Sequence, residues 1–476
     1  MLFNSVLYLL FFGLLYLLYW TIPASRRVTL LIMGSMLFYA VWGLTGEGWV
    51  GIRWTLHFLA AIGFSHFMNV AIYDATEQRT KKRLLTFTIV VLLINLAVFK
   101  YAVFFLDFLI DLGVPAEALP DAKGLFLPLA ISFYTFQTIS YVIDVYRGQV
   151  EPQHNYAKFF MYVSLYSQLV AGPIVRYADV AREVNYREEN LHDVSAGISR
   201  FLIGLTKKVL IANTAGAFAE EYLSGDLTQS TTAAVWFGVL MFSLQIYYDF
   251  SGYSDMAIGL GWIFGFHFLE NFNYPYIAKS ATEFWRRWHM SLGQFFRDYV
   301  YIPMGGNRKH QYFNLFIVWF LTGLWHGASW NFILWGLWFG LLIMVERLFL
   351  RKVLDKLPAV VGHLYLLLAA VLGWVLFYFT DLGKAWDCLR VMFGAAGTGF
   401  WDITLEITLE NNLFWLIAAV AFCMPIYPRV RAFIENRPAL ANVAGWLKTP
   451  ANLLMLATNT ALLVGSSYNP FLYYRF

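Results

Sequence analysis

The sequence predicts an all-α polytopic membrane protein, and three observations carry that expectation. Of its 476 residues, 59% are hydrophobic. Only 13% are charged, about half the quarter usual in soluble domains. The apolar residues fall in long unbroken runs, not in the alternating ~10-residue segments of an outer-membrane barrel. Together these exclude a soluble globular enzyme, a disordered chain and a coiled coil. The net charge of +4 is met by basic loops at a cytoplasmic membrane face and calls for no nucleic acid. Cys388 and Cys423 lie in or beside apolar segments without metal-ligand spacing, so both are expected to be packing residues and no metal site is expected.

A membrane helix needs about 20 apolar residues. Candidate spans run over 2–20, 28–44, 54–73, 84–106, 125–146, 233–248, 254–269, 312–324, 328–348, 363–380, 411–427 and 450–466. Some are short, so about ten to twelve transmembrane helices are expected in one membrane domain over 1–476. The run 2–20 has no preceding Lys or Arg and is too long for a signal-peptide core, so it is kept as the first span. The stretches 156–175 and 197–223 contain Gly172-Pro173, Lys207 and Lys208 and read as re-entrant or interfacial pieces. Basic residues gather on the odd-numbered loops: Arg26, Arg27, Arg79, Lys81, Lys82, Arg83, Arg147 and Lys158. The even-numbered ones hold only Arg53 and Lys123. The positive-inside rule then puts the N-terminus outside.

The most informative stretch is 311–345, 35 residues without Asp, Glu, Lys or Arg. As one helix it would reach ~52 Å at 1.5 Å per residue, against a hydrocarbon core of ~30 Å. It must therefore break, and its middle, around Gly323, His326, Gly327 and Ser329, should lie at membrane depth. Burial disfavours a charged imidazole, and a neutral one can accept a proton from a hydroxyl. His326 is either such a base or a histidine hydrogen-bonded between helices.

In 279–300, Ser280 and Glu283 form a capping box. Phe284, Trp288, Leu292, Phe295 and Tyr299 recur at helical spacing, with Arg286, Arg287, Gln294, Arg297 and Asp298 opposite. This predicts an amphipathic helix at the cytoplasmic interface, in contact with membrane lipids. His289 sits at the border of its faces, either as an interfacial polar residue or as part of a site. The arginines serve either headgroups or the phosphates of an acyl donor. Asp249 and Asp255 flank Ser251-Gly252-Tyr253-Ser254 and either orient a catalytic group or tie helices together, with the structural role favoured. Asp144 reads as a boundary residue. No nucleophile elbow, Walker A loop or His-Glu-x-x-His is present. Gly259, Gly261 and Gly265, like Gly336 and Gly340, read as close helix packing.

Several stretches together are specific. Tyr248-Asp-Phe-Ser-Gly-Tyr-Ser-Asp-Met-Ala-Ile-Gly259 resembles the membrane-bound O-acyltransferase (MBOAT) family, in its bacterial alginate O-acetyltransferase branch. So do 270–276, Phe284-Trp-Arg-Arg-Trp-His289, 301–308, Leu321-Thr-Gly-Leu-Trp-His326-Gly-Ala-Ser-Trp-Asn331, 168–176 and the ending 469–476. The densest block covers about 165–350. The resemblance implies a ring of membrane helices around a central tunnel. It implies His326 as the family's invariant histidine and His289 as its second one, with Trp285, Arg286, Arg287, Trp288, Trp325, Gly327, Trp330 and Asn331 as candidates for lining the substrate path. It further implies acetyl transfer from cytoplasmic acetyl-CoA, with no permanently bound cofactor, across a bacterial inner membrane. A periplasmic SGNH-type partner would then place the acetyl group on a polysaccharide such as alginate or peptidoglycan. Transfer of D-alanine or another acyl group by the same fold stays open. A transporter without covalent chemistry suits the broken span at 311–345, but no inverted repeat supports it. The 469–476 segment either docks a partner or anchors in an aromatic belt.

Overall fold

Unbroken apolar runs satisfy their backbone groups in a membrane most simply as helices, and every long element of the computed structural model is one. The structure describes residues 5–47, 49–122, 124–125, 127–169, 172–465, 469–470 and 472; among them no strand occurs. The helices are α1 Val6–Thr21, α2 Ala24–Glu47, α3 Trp49–Asp74, α4 Gln78–Asp111, α5 Ile131–Tyr146, α6 Tyr156–Ser164, α7 Tyr166–Leu169, α8 Tyr177–Asn185 and α9 Leu191–Thr206. They continue with α10 Asn213–Leu223, α11 Thr232–Ile263, α12 Ala281–Trp285, α13 Met290–Phe296, α14 Gln311–His326, α15 Trp330–Val345, α16 Arg351–Leu354 and α17 Ala359–Tyr378. The last are α18 Leu382–Met392, α19 Ile403–Asn411, α20 Leu413–Ala421, α21 Ile426–Glu435 and α22 Pro438–Gly465.

Among the described residues, five helices are long and apolar enough to cross a membrane: 52–74, α4, α11, 330–354 and α17. The pair α19 and α20, bent by 69°, makes a sixth if counted as one broken span. The larger number read from the sequence counts apolar runs, and several of these share or break a helix. The predicted spans 233–248 and 254–269 are largely one helix, α11, which ends at Ile263. Gly252 does not interrupt it. The missing side chain instead makes room for the Gly204 carbonyl, 2.7 Å from where a Cβ would stand. The stretch 197–223 is not re-entrant either: α9 runs through a π-helical segment, Lys207–Ala212, directly into α10. The stretch 156–175 is broken as expected, into α6 and α7.

Contacts divide the chain into two units, Met1–Ile198 with Met256–Leu269, and Ser199–Asp255 with Glu270–Phe476. The core of the first is α5, buried on all sides over most of its length. Tyr39 stacks on Phe58, with ring centroids 4.6 Å apart, and Phe58 meets Tyr134 of α5. Asp144, expected at a boundary, is buried in α5. By contrast α4 buries only Thr88, Leu92 and Leu96. Its Phe87, Val90, Leu93, Ile94 and Val98 point outward, a face whose natural solvent is lipid. Gly197 packs on the Gly259 carbonyl, as helix packing at Gly259 requires. Gly265 plays another part: with φ +74° it ends α11 in the left-handed region.

The second unit has an aromatic core of Phe284, Trp288, Trp319, Trp335, Phe339, Trp374 and Phe377. Cys388 and Cys423 are both buried free thiols of this unit.

Candidate active site

The hairpin of α14 and α15 presents His326. The charge-free stretch breaks at 327–329, where the sequence places Gly327 and Ser329. The two arms then approach too closely for side chains at the crossing. A Cβ on Gly323 would stand 2.4 Å from the Phe332 carbonyl oxygen, and one on Gly336 would stand 2.3 Å from that of Trp319. Gly340 packs on the Trp319 side chain, and Gly327 on the Phe332 ring. His326, the last residue of α14, is 6% exposed. Its ring meets Trp335 edge-on at 4.9 Å, Trp325 at 5.0 Å and Phe377 of α17 at 5.4 Å. The fully buried Asn331 donates from Nδ2 to the Leu376 carbonyl at 3.2 Å and ties α15 to α17. Trp330 differs from these neighbours: it is 44% exposed.

The predicted helix over 280–300 starts with half of the capping box, because the Glu283 carboxylate turns to Lys279 instead of to the Ser280 N–H. Ser280 Oγ accepts the Glu283 N–H at 3.0 Å, and Glu283 Oε2 accepts the Lys279 N–H at 3.0 Å. It does not continue. α12 ends at Trp285 and α13 starts at Met290, with His289 between them at φ 43°. The apolar positions Phe284, Trp288, Leu292, Phe295 and Tyr299 are nevertheless all buried. His289 is not interfacial: it is 1% exposed, and burial pushes its imidazole down to about 3, so it is neutral at pH 7. Its ring lies 4.6 Å from Phe250 and 5.8 Å from Trp325. The Trp325 indole is thus in ring contact with both candidate histidines. Trp285 packs between Trp319, Trp335 and Phe339. Arg287 is committed to Glu283 at 2.9 Å, and Arg297 to Asp298 at 2.7 Å. Arg286 is exposed.

The two aspartates of α11 are engaged by cations from the π-helical segment and α9. Lys208 Nζ lies 2.6 Å from Asp249 Oδ1, both side chains being almost wholly buried. Lys207 Nζ lies 2.6 Å from Asp255 Oδ2, and Arg200 Nη2 2.7 Å from Asp255 Oδ1. Arg200 also donates to both carboxylate oxygens of Glu270, at 2.5 and 2.6 Å. These pairings tie α11 to the π-helical segment and to α9. The first pair also holds residues near the C-terminal end. Lys208 Nζ donates to the Pro470 carbonyl, Leu472 N–H donates to Asp249 Oδ2 at 3.0 Å, and Asn213 donates to Asn469 Oδ1 at 3.0 Å. Tyr473 and Tyr474 lie outside the described residues, as does Lys123 of the loop count.

Two site-building residues escaped the sequence. Glu346 is buried and accepts the Ala281 and Thr282 N–H groups that open α12, at 2.5 and 2.9 Å, and the Thr282 hydroxyl at 2.6 Å. Asn271 is buried against His289 and Ser291. The signal for Glu346 was an isolated acid at the end of a charge-free run. For Asn271 it was the position directly after Glu270 in one of the resembling stretches.

Many-helix architecture with lipid-facing apolar sides defines a polytopic membrane protein, and the pair of buried histidines around one indole is its candidate site. The sequence pattern of the membrane-bound O-acyltransferase family matches residues 37–382. Over the full length of both chains, the protein is 35% identical to a probable alginate O-acetylase of Azotobacter vinelandii. It is 39% identical to the probable alginate O-acetylase of Pseudomonas aeruginosa, over 86% of this chain and 78% of that one. It is 30% identical to a peptidoglycan O-acetyltransferase of Helicobacter pylori, over 94% and 91%. The chain belongs to the membrane-bound O-acyltransferase family, and it is an O-acyltransferase.

Proposed function

We propose that this protein takes an acetyl group from cytoplasmic acetyl-CoA and passes it across the inner membrane for O-acetylation of an extracytoplasmic polysaccharide. A periplasmic SGNH-type protein would complete the transfer to the sugar. Alginate and peptidoglycan are the acceptors in the names of its relatives, and one of these or a similar exopolysaccharide is the acceptor class proposed here. The observation that carries the chemistry is that His326 and His289 both meet the Trp325 indole.

In this mechanism His326 is the general base. It removes the proton of an acceptor hydroxyl as the oxygen attacks the thioester carbonyl. The carbon–sulfur bond breaks, the acetyl ester forms, and the proton passes to the departing thiolate. Net charge is unchanged, which suits a site walled by Trp325, Trp335 and Phe377, where a lasting charge would be expensive. His289 works beside it. The donor arrives from the cytoplasmic side and the acceptor from the opposite side, through a tunnel that meets at this pair, with the N-terminus periplasmic as the loop charges predict.

The test is transfer of radiolabelled acetyl from acetyl-CoA in proteoliposomes supplied with the periplasmic partner or a hydroxyl acceptor. His326→Gln is expected to lower the rate by about 10²–10⁴-fold while inserting normally. Full transfer by that variant would refute the assignment. No transfer by the wild type, followed by transfer from a charged carrier protein, would move the donor from acetyl-CoA to an acylated carrier.

A further inference from the structure

Asn271 is fully buried and is a hub of hydrogen bonds. Its Oδ1 lies 3.2 Å from the Ser291 backbone nitrogen, 2.9 Å from Ser291 Oγ and 3.1 Å from His289 Nδ1. Its Nδ2 donates to Ser254 Oγ at 3.2 Å, and its own carbonyl accepts the Met290 N–H at 2.9 Å. Together these bonds hold residues 289–291 at the break between α12 and α13.

The chemistry of these partners settles which atom carries which hydrogen. A backbone N–H can only donate, so the atom of Asn271 that faces Ser291 is its oxygen and not its NH₂ group. An amide oxygen can only accept, so His289 Nδ1, 3.1 Å away, carries a hydrogen; Ser291 Oγ, at 3.5 Å from that nitrogen, gives its own hydrogen to Asn271 Oδ1 at 2.9 Å. In a neutral imidazole the other nitrogen, Nε2, then holds the lone pair. His289 Nε2 is buried and has no hydrogen-bond partner among the described residues. The Trp325 ring stands 5.8 Å from the His289 ring and 5.0 Å from that of His326. Asn271 is itself fixed from behind, because the preceding Glu270 is held by Arg200, which also grips Asp255.

We infer that Asn271 is a positioning residue that locks His289 in its Nδ1–H tautomer and leaves Nε2 a hydrogen-bond acceptor. What Nε2 accepts rests on the reaction proposed above. With only a lone pair at Nε2, neutral His289 cannot donate to the thioester carbonyl, and the single hydrogen of the attacking hydroxyl goes to His326. The part of Nε2 is to accept a hydrogen bond from a second donor group of the acceptor and so hold the attacking oxygen in line for His326.

The experiment is solid-state NMR of protein labelled with ¹⁵N-histidine in lipid, with His289→Gln used to assign the His289 signals. The expected wild-type spectrum shows protonated Nδ1 and unprotonated Nε2 at pH 7. Asn271→Leu is expected to lose that preference and to slow transfer about 10²-fold, mainly in kcat. Asn271→Asp keeps an acceptor oxygen and is expected to keep the tautomer; its added charge should move the acid limb of the pH–rate profile upward. His326→Gln should slow transfer by the 10²–10⁴-fold given above and leave the His289 tautomer intact, which separates this inference from the reaction it rests on. A wild-type Nε2–H tautomer would overturn the inference even if Asn271→Leu failed to fold, and so would an unchanged tautomer in a folded Asn271→Leu protein.

Discussion

Replacing Lys208 by Met tests whether the Asp249 pair holds the second unit together. In the intact protein the ammonium and carboxylate are 2.6 Å apart and the side chains are 1% and 3% exposed. Water therefore cannot take over the solvation of whichever partner remains. Breaking a buried pair from one side costs about 3–5 kcal/mol, whereas replacing both partners by apolar groups is often neutral or better. Lys208→Met is expected to lose about 4 kcal/mol, because it strands both the Asp249 carboxylate and the Pro470 carbonyl. Asp249→Leu strands the ammonium and should cost a similar amount. The double variant should recover most of the loss, so the coupling in a double-mutant cycle should exceed the loss of either single variant, at about 6–7 kcal/mol. Reversible unfolding in SDS–detergent mixtures, followed by tryptophan fluorescence, gives these values. The double variant should still differ from wild type in one respect. Pro470 and Leu472 lose Lys208 and Asp249 as anchors, so limited proteolysis near residue 469 should accelerate. Single variants within about 1 kcal/mol of wild type, or a double variant as unstable as the sum of the singles, would refute the argument.

Gly336→Ala should cost about 3 kcal/mol and depress transfer as well. Its new methyl would meet backbone atoms, the Trp319 oxygen at 2.3 Å and the Gly323 nitrogen at 2.9 Å, so only separation of the hairpin arms can relieve it. Gly340→Ala, which meets the Trp319 side chain at 2.8 Å, should cost less in the same unfolding assay. His289 makes a pH prediction. Its folded value of about 3 lies below the ordinary 6.5, so between those limits the unfolded chain binds a proton that the folded one does not. Its share of stability is complete above pH 6.5 and falls as the pH drops, by up to about 1.4 kcal/mol per unit. His289→Gln should flatten the stability–pH slope between about pH 6 and 4, and an unchanged slope would contradict the burial argument.

The parts of this fold that were legible in the sequence are those set by composition or by close packing. A run of 35 residues without charge cannot cross the membrane once as a straight helix, and the break falls beside His326 as that length argument required. Gly336 and Gly340 do lie where two helices touch. The misreadings share a cause: local pattern cannot see tertiary partners. The stretch over 280–300 has helical periodicity, yet it breaks at His289, where Asn271, distant in sequence, takes the Ser291 N–H and the Met290 N–H goes to its carbonyl. Ser251-Gly252-Tyr253-Ser254 looks like an interruption, yet the glycine serves the Gly204 carbonyl inside a continuous helix. The cations that answer Asp249 and Asp255 were not legible, because Lys207 and Lys208 lie in a segment whose π-helical winding has no simple sequence signal.

The two histidines at the centre of the site are held by different physics, and this sets how each responds to mutation. His326 ends a helix whose position is determined by glycine contacts and by the rings of Trp335 and Phe377. Van der Waals packing of this kind tolerates changes in polarity poorly and changes in volume worse. His289 is held by directed hydrogen bonds through Asn271, and behind them by the charges of Glu270, Arg200, Asp255 and Lys207. A network of that type tolerates a substitution that preserves donors and acceptors, and fails when one is removed. Volume changes at Gly323, Gly327 or Phe377 should therefore act through His326. Loss of a polar atom at Asn271 or Ser291 should act through His289, with the aromatic core left in place. Trp325 touches both rings, so its replacement by Phe, which keeps an aromatic plane, should be milder than replacement by Ala, which removes a group common to both supports.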